Sequence, residues 1–340
     1  MSRLLYQGGG ALVLEDAEIV PLDSHEVRLE VAFAGVSGVD LQLVSGGQDD
    51  ELSLPVVPGH DMSGVVLEVG SGVSDVQVGE RVVVRPLMAC GECAACSDDQ
   101  THLCYELKTF GVDADGAWQT VWNVPASSIH RLPDEMTLKL GTWVVPAAVA
   151  CHAVRMAEIK PGEYVTVIGA GPIGVLLAGV AQHAGAHVVV SEVNAFRRGM
   201  AAGLGFDVVD PETVDLQELV MSETGGAGAD VVFEATGSES GSRAMALPGR
   251  ARGRVIVVGV VARPPVVDMH QVVWRELRLM GSHGYEAEDF EEAIQFVAQR
   301  ILPLDRLVTD AVTLDQLPAL LADPAPVIER MRVLVEVKGL

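Results

Sequence analysis

YVTVIGAGPIG runs from Tyr164 to Gly174. A β-branched apolar run leads into Gly169, Gly171 and Gly174 in G-x-G-x-x-G spacing, and a helical apolar stretch, VLLAGVAQHAG, follows. Strand, glycine turn and helix in that order form a cradle for a dinucleotide. The first glycine permits the tight turn, the second lets the backbone approach a pyrophosphate, and the third lets helix and strand pack together. Free N–H groups at the helix start then face the phosphates. Ile173 sits between the second and third glycines and belongs to the same loop. The next strand, VVVSE, ends at Glu192, eighteen residues past Gly174. A carboxylate there accepts from the ribose hydroxyls of NAD and repels the 2′-phosphate of NADP. Arg197 and Arg198 lie just downstream. Arginine can receive that phosphate, so NAD is the expected cofactor, NADP the alternative, and Arg197 is counted with the cofactor residues.

Outward from this loop, apolar runs begin near Val165, Val188, Asp207, Val231, Val255 and Leu277. The intervals fit repeated strand–helix units, which predicts a doubly wound parallel sheet. The preceding chain has another texture. EVRLEVAFAGV places Val27, Leu29, Val31 and Phe33 on one face at the two-residue period of a strand, and GVVLEVG and RVVVRP are further short runs between Gly, Asp and Pro. This part reads as antiparallel, barrel-like β structure. Near the end, AEDFEEAIQFVAQR has helical spacing with acids in its first turn, and MRVLVEV reads as a strand. The fold class is therefore α/β with two domains: residues 1–147 with 286–340, and residues 148–285.

Composition narrows the partners. The 340 residues carry 47 acidic and 23 basic side chains, a formal net charge of −24. Such a surface repels phosphate backbones, which argues against nucleic acid. The longest apolar run is the glycine-turn segment itself, so no membrane partner is expected. The first residues, MSRLLYQGGG, lack a signal-peptide pattern. A cytoplasmic location is expected, where thiols stay reduced.

That matters for CGECAACSDDQTHLC, Cys90–Cys104, which holds four of the five cysteines as C-x2-C-x2-C-x7-C. Cys90, Cys93, Cys96 and Cys104 form the expected metal site. Four thiolates complete a tetrahedral zinc shell and leave no open position, so the metal is structural. An iron–sulfur cluster is the rival, but its usual C-x2-C-x2-C-x3-C-P run is absent.

PGHDMSGVVLEVG, the four-cysteine lobe, GVDADGAWQTVWNVPA, VIGAGPIG and EDFEEAI together resemble the zinc-containing alcohol and polyol dehydrogenases of the medium-chain dehydrogenase/reductase superfamily. Sorbitol-, threonine- and butanediol-type enzymes are similar in layout. The resemblance implies a GroES-like β domain closed by the C-terminal tail, an inserted Rossmann domain and a homodimer or homotetramer. It also implies a second, catalytic zinc held by a Cys in G-x-C-G-S-D, a His in G-H-E and a Glu before Pro. Here GVSGVD has Ser37 at the cysteine, PGHDM keeps His60 but has Asp61 for the glutamate, and VVPAAVACH has Val145 at the third ligand. Val39 replaces the Ser or Thr that relays the alcohol proton, and Gln42 replaces a frequent His.

A neutral hydroxyl is a poor zinc ligand and valine is none. Catalytic zinc is therefore expected to be lost, with Cys151 the only thiol near enough in sequence to substitute. His60 and Ser37 are the expected catalytic residues, His60 moving a proton and Ser37 hydrogen-bonding a substrate oxygen. Asp40 reads as a fixer of the turn. Trp118, His283 and Tyr285 are candidate pocket aromatics. The expected function is NAD(P)-dependent hydride transfer to or from a small organic molecule: an alcohol, a carbonyl or an activated double bond. A conventional zinc enzyme with substituted ligands and a non-catalytic cofactor-binding protein are the alternatives.

Overall fold

A computed structural model describes residues 1–45, 52–261, 263–322 and 329–338. It divides into two compact units: Met1–Val145 with Val297–Gln299 and Leu304–Leu340, and Pro146–Phe296 with Arg300–Pro303.

The first unit is built around one long strand, Glu26–Gly35, which pairs antiparallel with Asp61–Val69, Val121–Pro125 and Arg332–Glu336. Arg81–Val84 and Ile129–Arg131 extend the seven-stranded sheet on one side and Val308–Thr313 on the other. Alternation explains the core. Val27, Leu29 and Val31 turn inward with Val66, Val82, Trp122 and Val335. Phe33 does not continue that row. The register with the neighbouring strand shifts between Val31 and Phe33, and the extra residue inverts the side-chain parity. Ala32 and Ala34 are buried, whereas Phe33 is half-exposed beneath Lys139 Nζ, 5.3 Å from its ring centre.

The second unit carries the parallel sheet in the order Asp207–Val209, His187–Ser191, Tyr164–Ile168, Ala229–Glu234, Gly249–Val257, Arg278–Gly281. All five pairings are parallel. The order reverses between Tyr164–Ile168 and Ala229–Glu234, the switch point where such sheets take ligands. Near-continuous β-branched strands follow from burial on both faces.

The helix Ala287–Ala298 departs from the expected division. Residues up to Phe296 lie with the second unit, not with the 286–340 stretch assigned to the first. The reason is electrostatic. Asp289 is fully buried and bound by His152 and Arg155 of the helix Val144–Met156, which draws the two helices together. Of 286–340, residues 323–328 and 339–340 lie outside the described residues. No helix among the described residues is long and apolar enough to cross a membrane.

Candidate functional site

In the second unit, the strand Tyr164–Ile168 runs into Gly169, whose N–H donates to the Ser191 carbonyl (2.8 Å) and whose φ is +104°. Gly171 caps the helix Pro172–His183, and Ile173 is half-buried in its first turn. A Cβ on Gly174 would lie 1.9 Å from the Gly169 carbonyl oxygen, so helix and turn meet only because there is none. Over Gly171 the space is open except for Arg197 Nη1, 3.8 Å from where a Cβ would stand. This hollow, with free N–H groups behind it, fits a pyrophosphate.

Glu192 is buried beside the hollow. Its oxygens accept from the N–H of Ala170 (2.6 Å) and of Asn194 (2.8 Å). A carboxylate has about four lone-pair directions, so acceptor capacity for ribose hydroxyls remains. The two arginines have separate roles. Arg198 is bound to Asp210 (2.7 Å) and to the Glu192 carbonyl (3.0 Å). Arg197 keeps its buried Nε without a partner and holds its guanidinium against the glycine turn.

In the first unit, the four cysteine sulfurs gather as the spacing implies. Sγ separations are 3.5 Å for Cys93–Cys96 and 3.9 Å for Cys90–Cys96 and Cys93–Cys104. Zinc–sulfur bonds of ~2.3 Å in a tetrahedron put sulfurs about 3.8 Å apart, so the cluster fits that ion. The N–H groups of Cys90 and Glu106 point at Cys104 Sγ, at 3.2 and 3.4 Å. Backbone N–H groups of Tyr105 and Cys96 hold the Cys93 thiol down to about 6, which favours the thiolate a metal takes.

His60 is the third focus. Its buried Nδ1 has no hydrogen-bond partner and lies 3.9 Å from Asp40 Oδ1, while Nε2 is 3.5 Å from Asp61 Oδ1. Asp40 is fully buried and accepts from the Ser37 N–H and hydroxyl, each at 2.7 Å, and from the Gly59 N–H at 3.2 Å. Burial pushes its carboxyl up, against the pull of His60 and Ser37. Asp40 thus fixes the turn. Ser37 is the N-cap of the helix Gly38–Val44, accepting from the Asp40 N–H while donating to its carboxylate. With its proton committed to Asp40, Ser37 has only a lone pair to offer a substrate.

These residues do not fit a catalytic zinc. Ser37 donates its hydroxyl to a carboxylate, Val145 has no donor atom, and Asp61 Oδ2 is held by Arg332 at 2.7 Å. Among the described residues, no group of three His, Cys, Asp or Glu donors includes His60. Cys151 is buried in the second unit, and burial pushes its thiol far up. Trp118 and Tyr285 are buried in packing, Tyr285 with its ring 5.6 Å from Phe290, and His283 is exposed.

A parallel sheet with a glycine turn that fits a pyrophosphate, joined to a β unit bearing a four-thiol lobe, is the architecture of a dinucleotide-dependent oxidoreductase of the medium-chain type. Comparison with known proteins agrees. A model of the alcohol dehydrogenase GroES-like domain matches residues 23–134, and one of zinc-binding dehydrogenases matches 172–299. The chain is 41% identical over 324 residues to the 2-dehydro-3-deoxy-L-galactonate 5-dehydrogenase of Pseudoalteromonas atlantica, covering 95% of each chain. It is 31% identical over 311 residues to the L-galactonate-5-dehydrogenase of Escherichia coli, covering 91% of each. A zinc-binding dehydrogenase of Sinorhizobium meliloti 1021 bound to NADP superposes with a TM-score of 0.91 at 27% identity, over 99% of both chains. The protein belongs to the zinc-type medium-chain alcohol and polyol dehydrogenase family, and it is an NAD(P)-dependent oxidoreductase.

Proposed function

We propose that this protein is an NAD-dependent dehydrogenase of a sugar acid or related polyol, with one structural zinc on Cys90, Cys93, Cys96 and Cys104 and no catalytic zinc. The observation that carries the zinc-free reading is the donor set at the three positions the resemblance gives to the catalytic ligands: one imidazole, a serine already bound to Asp40, and a valine. The substrate class is supported by two relatives named for galactonate-type substrates. Gly169, Gly171, Ile173, Gly174, Glu192 and Arg197 would hold the dinucleotide, which supplies the hydride acceptor or donor when bound. Glu192 favours NAD, since a buried carboxylate repels a 2′-phosphate.

The chain's own contribution is proton handling. His60 Nε2 is the basic atom assigned to take the hydroxyl proton during oxidation and return it during reduction. Asp40 holds the segment on which His60 stands, through the Gly59 N–H. Ser37 keeps Asp40 in place.

A homodimer or homotetramer is part of the proposal. Val266, Met269, Val273, Trp274 and Leu279 are exposed, Trp274 at 80%, on or near the strand Arg278–Gly281 that ends the parallel sheet. An unpaired sheet edge beside exposed apolar side chains is suited to a second copy.

The test is turnover of L-galactonate and 2-dehydro-3-deoxy-L-galactonate with NAD and NADP, in the unaltered protein and in His60→Asn. The expected result is NAD-preferring turnover that falls roughly 10²–10⁴-fold in the variant, with NADH affinity kept. Equal rates in the two proteins would remove His60 from the chemistry.

A further inference from the structure

Arg197 and Arg198 stand next to each other on the helix Ala195–Ala202, which begins just past Glu192. An arginine near the coenzyme's ribose can receive a 2′-phosphate. Two of them would favour NADP, and Glu192 alone would oppose it. The structure shows that the second arginine is already engaged. Arg198 Nη1 donates to the carbonyls of Glu192 (3.0 Å) and Val193 (2.5 Å), and its Nη2 meets Asp210 Oδ2 at 2.7 Å.

The sheet puts Asp210 within reach. Ser191 and Val209 are paired on adjacent parallel strands, and the Glu192 N–H donates to the Val209 carbonyl at 3.0 Å. The residues that follow, Glu192 on one strand end and Asp210 on the other, are therefore neighbours. A turn fixes Asp210 there. Its Oδ1 accepts from the Glu212 N–H (3.0 Å), and its carbonyl accepts from the N–H groups of Thr213 (3.0 Å) and Val214 (2.9 Å). The side chains of Arg198 and Asp210 are only 23% and 21% exposed, so salt screens this pair less than one in open water.

We propose that Asp210 is a positioning residue for coenzyme choice: it holds Arg198 against the carbonyls of the Glu192 turn and so withholds it from a 2′-phosphate. The proposal rests on the reading of the glycine turn and Glu192 as an NAD site, and it makes Glu192 half of the selection. Glu192 repels the phosphate directly. Asp210 neutralises the cation that would offset that repulsion. A guanidinium shared among a carboxylate and two carbonyls must break a charge-assisted bond before it can turn to another anion.

The experiment is a cycle of Glu192→Ser, Asp210→Ser and both changes together, read as NADH and NADPH dissociation constants from fluorescence titration of the full chain. Serine at 210 keeps an acceptor for the Glu212 N–H and is too short to hold the guanidinium. Each single change should strengthen NADPH binding by no more than about threefold, since the other half of the selection remains. Together they should exceed the product of the single gains by about ten-fold or more. NADH affinity should stay within about threefold in Asp210→Ser and fall wherever Glu192 is lost. Adding Arg198→Ala to the pair should abolish the excess, and NADPH binding to the pair should weaken with salt more steeply than NADH binding. Asp210→Asn carries the cycle if the serine variant does not fold, because it removes the same charge. Single gains that merely multiply would overturn the proposal and leave Asp210 a turn residue. An excess that survives Arg198→Ala would overturn it too, by giving the phosphate to another group. An unaltered chain that retains neither coenzyme would remove the site itself, a failure distinct from uncoupled gains in a chain that binds NADH.

Discussion

Asp289 shows how much one buried charge organises. Its oxygens meet His152 Nδ1 at 2.7 Å and Arg155 at 2.7 and 2.9 Å, and it accepts the Glu286 N–H at 2.8 Å. Burial alone would push this carboxyl up; His152 and Arg155 override it and hold the group well below its ordinary 3.8. In acid the unfolded chain therefore takes the proton first, and stability rises with pH in that range. The contribution is complete above about pH 4–5 and is lost as pH falls toward the folded value. Asp289→Asn should cost about 1–3 kcal/mol at neutral pH, since buried His152 loses its carboxylate partner while Arg155 is exposed to water. Urea unfolding at pH 7 and pH 3 should show the variant's deficit narrowing in acid. A deficit independent of pH would contradict the assignment.

At the scale of elements, the glycine turn is the most constrained piece of the second unit. Gly174→Ala sets a Cβ against the backbone oxygen of Gly169, which cannot swing away as a side chain would. A shift of the turn costing roughly 1–3 kcal/mol is expected, seen as about ten-fold weaker NADH binding in a fluorescence titration. Unchanged affinity would mean that the pyrophosphate does not sit there. This element was legible in the sequence because its signal is local: a β-branched run, three glycines and an apolar helix. The four cysteines were legible for the same reason. Phe33 was misplaced because a register shift in the pairing of two strands leaves no mark in one strand's alternation. The helix Ala287–Ala298 was given to the wrong unit because its anchor, Asp289, binds residues 134 and 137 positions away. The Arg332–Asp61 pair was missed outright, since Arg332 and Asp61 are 271 residues apart. The one hint was a charge at the head of MRVLVEV, a strand otherwise apolar enough to be buried.

The whole molecule carries a net charge of −24, yet it must bind an anionic coenzyme. In the proposed site, attraction would therefore be local, from helix N–H groups and Arg197 in the second unit. The same charge opposes self-association at low salt, so assembly would rest on apolar contact. Trp274→Glu with Leu279→Lys should shift the protein to monomer in sedimentation while its NADH affinity holds. An unchanged sedimentation profile would place the interface elsewhere.

In the proposed division of labour, thiolates of the first unit hold the protein's zinc while His60 handles the proton without a metal. Elemental zinc per chain, measured on dialysed protein that turns over substrate, tests it most directly. One zinc is expected, falling to none in Cys104→Ser. Two zinc ions per active chain, one of them surviving that substitution, would contradict it.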